Sequence, residues 1–295
     1  LRVLALQGQI DPDHLVPELS KTVADIISAL PPSILDSSRA FSLQSSVDNA
    51  ARTAARVRDR ISVDMWRALD RLNSHFQVVK RSGNPQSVDM MALLENTLAD
   101  LSSLFGLVAE GMTRTLGWRF FDLGCRLERS WQTTSLIKSF FVSHRSDDPD
   151  TVEALLSTAD SLMTYRNRYL STFQIPVVLD LLITDTTNPR SIIYQLIRIN
   201  EHLDAMPGNE GKALLNPEQR EAMSLANIVR LVDIYALGQV DESGSRPQLQ
   251  KLMARLEERL PKLSDAVSSR FLIHAGLPRH FGSSVDGSHQ QYVSK

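Results

Sequence analysis

Arg126, Glu128 and Arg129 fall within the stretch FFDLGCRLERSWQTT, from Phe120 to Thr134, whose large apolar residues Phe120, Leu123, Leu127 and Trp131 recur at helical spacing. An arginine fork suits carboxylates and phosphates, because its planar guanidinium presents paired donors. A carboxylate among arginines is either their counter-ion or, when burial raises its pKa, a general base. Glu128 and Arg129 are adjacent, so on one helix they do not face each other, and each needs a partner elsewhere. Asp122 lies four residues before Arg126 and seven before Arg129, and can pair with either. Glu128 shares a face with Phe121, Gly124 and Cys125, which predicts that it is buried and held ionised by an arginine from another helix. The first candidates lie in ARVRDRISVDMWRAL, with Arg56, Arg58, Asp59 and Arg60; a second group, Arg190, Arg198 and Glu201, lies in NPRSIIYQLIRINEHL. Three readings are open: ion pairs that fix the register of packed helices, an arginine-lined pocket for an oxyanion, and a solvated face.

Other chemistries lack their signatures. The chain has no Gly-rich phosphate loop, no H-E-x-x-H, no C-x-x-C and no G-x-S-x-G. No two of the seven histidines stand four apart, and Glu201 and His202 are adjacent rather than spaced as E-x-x-H, so no metal site is expected. No cofactor is expected in this chain. Cys125 has no histidine nearby in sequence and reads as a buried structural thiol. Trp66, Trp118 and Trp131 read as core residues.

These residues must be placed by helices. Val16–Leu30 reads as a helix stopped by Pro31-Pro32, followed by helical stretches near 42–60, from Ser62 as N-cap, from about 87 to 109, and from about 112 to 142. Asp148-Pro149, Asn188-Pro189 and Asn216-Pro217 each set a capping residue before a proline and predict helix starts within two residues of Pro149, Pro189 and Pro217. Pro176 opens a short helix, the helix from Pro217 stops at Gly238 in a left-handed cap, and a last one runs from Pro247 to His274, broken or kinked at Pro261. No alternating strand is found. The fold class is all-α, a bundle of long antiparallel helices. Residues 1–41 form an N-terminal helical segment, 42–275 the main helical domain, and 276–295 a disordered tail rich in Gly, Ser and His. The formal charge of −2 argues against a general nucleic-acid binder. No apolar run approaches the roughly 20 residues of a membrane span, and no signal peptide is visible. The single cysteine fits a reducing cytoplasm. A first residue that is Leu rather than Met fits a piece of a longer polypeptide.

LGCRLERSWQTTSLI resembles the glutamate-arginine signature of the alpha-E domain family, a bacterial all-helical family. RVRDRISVDMWRALDRL, FQIPVVLDLLITDTTNPRSIIYQLIRINEHL and LSDAVSSRF resemble three further family segments, in the expected order, over roughly Ser42 to Phe271. The resemblance makes Glu128 and Arg129 the signature pair and adds Arg58, Asp59, Arg60, Asn188 and Arg190 as family-like polar positions. Family members typically open with an earlier helix carrying a second, similar motif; LRVLALQGQI stands there and carries none. Members are typically encoded beside, or fused to, a circularly permuted ATP-grasp protein, often with a transglutaminase-like peptidase nearby. That context implies an accessory domain that holds a carboxylate or phosphate group for an amide or peptide ligase. The alternatives are an independent enzyme with Glu128 as general base and a purely structural oligomerisation module.

Overall fold

The computed structural model describes residues 31, 34–39, 42–82, 89–143, 147–169, 172–208 and 214–271. Among them every regular element is helical, in agreement with the all-α expectation. The expected helix at Val16–Leu30, the Gly83-Asn84-Pro85 breaker and the tail from 276 lie outside the described residues.

Three helices come first: α1 (Leu43–Arg56), α2 (Val63–Ser82) and α3 (Met90–Gly111). Each starts at a side chain that accepts an otherwise unpaired amide hydrogen. Ser42 Oγ accepts from Ser45 N at 3.0 Å, Ser62 Oγ from Met65 N at 3.2 Å, and Asp89 Oδ1 from Ala92 N at 3.1 Å. Here α2 packs on both α1 and α3. Two small apolar clusters hold the unit, one around Val47, Leu72, Phe76 and Leu93, the other around Met65, Ala68, Leu104 and Val108.

The motif helix α4 (Leu116–Ile137) follows and runs on into a π-helical turn, Lys138–Ser143. Then come α5 (Pro149–Thr158), α6 (Leu162–Tyr169), α7 (Ile175–Leu179) with its own π-helical turn Asp180–Thr184, α8 (Ile192–Asp204), α9 (Pro217–Arg230), α10 (Ile234–Gly238) and α11 (Pro247–Phe271). α4 packs on α8, α8 on α9, α9 on α11, and α11 on α4, which closes a four-helix ring. One continuous core fills it, with Leu123 from α4, Leu196 and Ile199 from α8, Leu225 from α9, and Leu256 and Leu263 from α11. The three-helix unit meets the ring through Trp118 and Phe121 of α4, which pack on the cluster of Leu104 and Val108.

Two of the three Asp/Asn-Pro signals mark helix starts. α5 begins at Pro149, with Asp148 accepting from the amides of Asp150 and Thr151 at 3.0 and 3.1 Å, and α9 begins at Pro217 behind a capping box of Asn216 and Gln219. The third fails. α8 begins at Ile192, one residue outside the expected window, and its N-cap is Ser191, which accepts from Tyr194 N at 3.1 Å. Asn188, four residues before Ile192, is buried and spends its side chain on the loop itself. The left-handed cap expected at Gly238 is also absent: among the described glycines only Gly208 and Gly244 have positive φ. Gly238 is required for another reason. A Cβ there would meet the Pro176 ring at 3.0 Å, so the missing side chain lets α10 lie against α7. α11 runs unbroken through Pro261 to Phe271.

One expectation about membranes needs correction. By length and composition alone, α3 is apolar enough to cross a bilayer. Its composition has a local cause: one face packs on α2, and the helix also carries Met91 and Leu98 about two-thirds exposed and Phe105 39% exposed. Yet the helix also buries Asp100, which accepts from Arg71 Nε at 3.1 Å.

Candidate oxyanion pocket beside the motif helix

α4 turns the two signature residues into different surroundings, as adjacent helical positions must. The residues wholly buried along it are Leu123, Ser130, Thr134 and Ile137. Ser130 and Thr134 enter the interior without leaving a hydroxyl unpaired, because each donates to the carbonyl four residues back: Ser130 Oγ to Arg126 O at 2.9 Å and Thr134 Oγ1 to Ser130 O at 2.7 Å. The predicted apolar seam is present, with Phe120, Leu127 and Trp131 packed against the core beside Leu123.

Glu128 is exposed, contrary to expectation. It accepts from Gln132 Nε2 at 2.8 Å, one turn along the same helix, and no arginine pairs with it among the described residues. The physical reason lies at Gly124, one of the residues whose shared face led to the expectation that Glu128 is buried. A Cβ at Gly124 would meet nothing within 4 Å, so that face opens to a shallow groove against Leu260 and Pro261 of α11. Arg58, Asp59 and Arg60 form a 3-10 turn between α1 and α2, where Arg58 lies 4.9 Å above the Trp66 ring and Arg60 pairs with exposed Asp59. They are not the partners of Glu128.

The structure does bring together Arg126, Arg129, Asn188 and Arg190. Asp122 takes Arg126 as its partner through two bonds, Nε to Oδ2 at 3.0 Å and Nη2 to Oδ1 at 3.1 Å. Arg126 Nη1 also donates to Gln195 Oε1 of α8 at 3.2 Å, and the amide of Gln195 donates in turn to Pro189 O. Asn188 braces the same loop: its Nδ2 donates to Leu181 O at 2.9 Å and Ser161 Oγ at 3.3 Å, and its Oδ1 accepts from Arg190 N at 3.1 Å. Thr133 Oγ1 of α4 donates to Arg190 O at 3.3 Å. The loop before α8 is thereby fixed from both sides, with Arg190 held opposite α4.

Sequence reasoning missed a residue at this junction. His202 of α8, buried, approaches Asp122 Oδ2 through Nε2 at 2.6 Å, and its ring stands edge-on to Trp118 at 5.1 Å. No spacing signal links residues 122 and 202; only the pairing of α4 with α8 does. Burial acts to raise the Asp122 pKa, but hydrogen bonds from His202 and Arg126, and their charges, outweigh it and hold the carboxyl at about 2.

Arg129 has no such partner. It is half-buried, lies 5.6 Å from the centre of the Phe105 ring, and makes no ion pair or side-chain hydrogen bond among the described residues. Burial, and then the neighbouring charges of Arg190 and Arg126, push its pKa below the usual arginine value. Between Arg129 and Arg190 lies a cavity of about 200 Å³, walled by Gln132, Thr133 and Leu136 of α4 and by Thr158, Ala159 and Asp160 at the end of α5. Asp160 adopts φ 49°, a left-handed conformation that Asp tolerates better than most residues, and its carboxylate accepts from Arg190 Nη2 at 2.5 Å. Two guanidinium groups, a carboxamide and two hydroxyls thus converge on one opening, together with the Asp160 carboxylate already paired with Arg190. Such a set can bind a carboxylate or phosphate by charge-assisted hydrogen bonds. Cys125 is partly buried, and burial raises its thiol pKa, which suits an inert thiol.

A family model described as a predicted alpha-helical domain with a conserved ER motif matches residues 2–272, beyond the stretch that carries the resemblance. Uncharacterized proteins of Mycobacterium bovis and Mycobacterium tuberculosis are 31% identical to this chain over 264 residues, 86% of the chain and 29% of their own length. The chain therefore spans less than a third of the curated relatives it matches. No solved structure matches it. Glu128-Arg129 on α4 is the only glutamate-arginine step between Phe120 and Thr134, and with a family match over nearly the whole sequence the chain belongs to the Alpha-E family.

Proposed function

We propose that this domain holds a carboxylate or phosphate group between Arg129 and Arg190 and presents it to a circularly permuted ATP-grasp amide or peptide ligase, in a cytoplasmic system that also includes a transglutaminase-like peptidase. One observation carries the oxyanion part. Arg129 is a half-buried cation with two other arginines for neighbours and no carboxylate bound to it among the described residues. Burying a charge without a partner is costly, and an anion in the cavity would offset that cost. The ligase and peptidase partners rest on the family resemblance alone. The general-base reading of Glu128 needed a buried carboxylate, and exposure removes that support.

The test is calorimetric titration of the domain with inorganic phosphate and with glutarate. Both should bind, and Arg129→Gln should abolish binding without lowering the melting temperature, since it removes an unpaired buried charge. Equal affinity in the variant would overturn the reading. For the partner, amine-dependent ATP hydrolysis by the co-purified ATP-grasp protein should rise with the wild-type domain and fail to rise with Arg129→Gln.

A further inference from the structure

Around α9 and α10, large apolar side chains face solvent. Leu215, Met223, Leu231 and Tyr235 are 36%, 46%, 84% and 76% exposed. Leu215, Met223 and Leu231 line two cavities, of about 320 and 390 Å³, which share Ile228 and Leu231 and so form one continuous trough; Tyr235 lies between the lining residues Asp233 and Ala236 of the larger one. Exposed apolar surface that is contiguous and cavity-forming, unlike scattered single residues, marks an interaction site.

Charge selects the occupant. Arg220 lines the smaller cavity, and Lys251 and Arg255 the larger. None of the three is in an ion pair among the described residues. Asp233, the one acid that lines either cavity, is engaged as the cap of α10, accepting from Tyr235 N at 2.9 Å and Ala236 N at 3.2 Å; on α9, Glu221 accepts two bonds from Arg259 at 2.6 and 2.7 Å and Glu218 is buried against Arg270. The trough is therefore apolar in its floor and cationic at its rim. Its length follows α9, whose 14 residues span about 21 Å.

We infer that this trough docks an acidic amphipathic helix of a partner protein. Apolar residues at positions i, i+3, i+4 and i+7 of that helix fill the two cavities, and glutamates or aspartates on its flanks meet Arg220, Lys251 and Arg255. A flat anionic membrane matches the rim charge but leaves cavities of this size unfilled, so a helix with projecting side chains is the better complement. This inference is independent of the oxyanion pocket.

The test uses the whole chain and fluorescein-labelled 14-residue helical peptides, matched in length to α9. One peptide has leucines at the spacing above and glutamate elsewhere, the second replaces glutamate by lysine, and the third scrambles the first. Fluorescence anisotropy should saturate with the glutamate peptide only. Leu231→Glu with Tyr235→Glu, and separately Lys251→Glu with Arg255→Glu, should each weaken it by about tenfold or more, and all these side chains are exposed or rim positions whose replacement leaves the fold intact. The charge-reversed variant should gain affinity for the lysine peptide. Equal binding of the lysine or scrambled peptide, or unchanged affinity in either variant, would overturn the inference. So would cosedimentation with phosphatidylserine vesicles while the peptides fail, which assigns the face to a membrane, or a dimer in sedimentation that Leu231→Glu dissolves, which assigns it to a second copy.

Discussion

The ring of α4, α8, α9 and α11 and the three-helix unit α1–α3 are both built from amphipathic helices, yet they bury their residues differently. The ring has a single core that runs through all four helices, with Leu196, Ile199, Leu225 and Leu256 wholly inaccessible. The three-helix unit divides its apolar residues between two small clusters and leaves Met91 and Leu98 of α3 about two-thirds exposed. The buried acids differ in the same way. Asp122, in the ring, receives two bonds from Arg126 and a 2.6 Å contact from His202, whereas Asp100, in the unit, receives one bond from Arg71, and its second oxygen has only His75 Nδ1 at 3.5 Å, without a hydrogen bond. Closing a ring lets each helix satisfy two neighbours. An open layer of three leaves outer faces without a protein partner among the described residues.

The strongest test of that contrast removes one side chain from each core. Leu196→Ala should cost about 2–5 kcal/mol in urea denaturation, because a Leu-sized cavity opens where no helix can collapse inward. Phe76→Ala, at the fully buried centre of the first small cluster, should instead act locally. Hydrogen exchange should show protection lost across 43–111 and retained across 116–271. Loss of protection in α8 and α9 on replacing Phe76 would mean that the two regions unfold as one.

The same contrast explains what the sequence could tell. Local chemistry was legible: Ser62, Asp148-Pro149 and Asn216-Pro217 start helices because a cap needs only its own next turn. Asn188-Pro189 carries the same local signal and misleads, because Asn188 finds tertiary partners in Leu181 and Ser161, and Ser191 is left to cap α8. The seam of Phe120, Leu123, Leu127 and Trp131 was legible from its period. The burial of Glu128 was misread, because Gly124 and Cys125 look like interior residues while the interior positions are Ser130 and Thr134, whose hydroxyls hide in the helix's own carbonyls. The pocket of Arg129 and Arg190 could be named only as a set of candidates. Which arginine keeps a carboxylate and which lacks one depends on the packing of α4 against α8 and its preceding loop.

Asp122 sharpens the comparison through its ion pair with Arg126. Asp122→Ala should cost about 3–5 kcal/mol, since it strands Arg126, which is only 18% exposed, without its counter-ion. The pH dependence has a definite sign. The folded carboxyl titrates at about 2, below its ordinary 3.8, so its contribution is full above about pH 4 and disappears as pH falls toward 2. The loss amounts to about 2 kcal/mol. Urea midpoints measured between pH 5 and 2 should fall less steeply in Asp122→Asn than in the wild type. Parallel slopes would show that the Arg126 and His202 contacts do not stabilise the ring.

Glu128 should give the smallest effect, and for that reason it is the sharpest check on how α4 divides its two signature residues. Its carboxylate is exposed, and its partner is Gln132 on the same helix. A same-helix contact one turn apart contributes about 0.2–0.5 kcal/mol, so Glu128→Ala should change stability by no more than about 0.5 kcal/mol. A buried Glu128 holding an arginine of another helix would instead cost about 3–5 kcal/mol when removed. The two outcomes differ by more than the error of a denaturation curve. Binding of phosphate should also survive Glu128→Ala, because the cavity between Arg129 and Arg190 is lined by Gln132 and Thr133 but not by Glu128. Loss of stability would return Glu128 to the interior. Loss of phosphate binding with stability intact would join the two residues in one site, and the two faces of α4 would then have to act together.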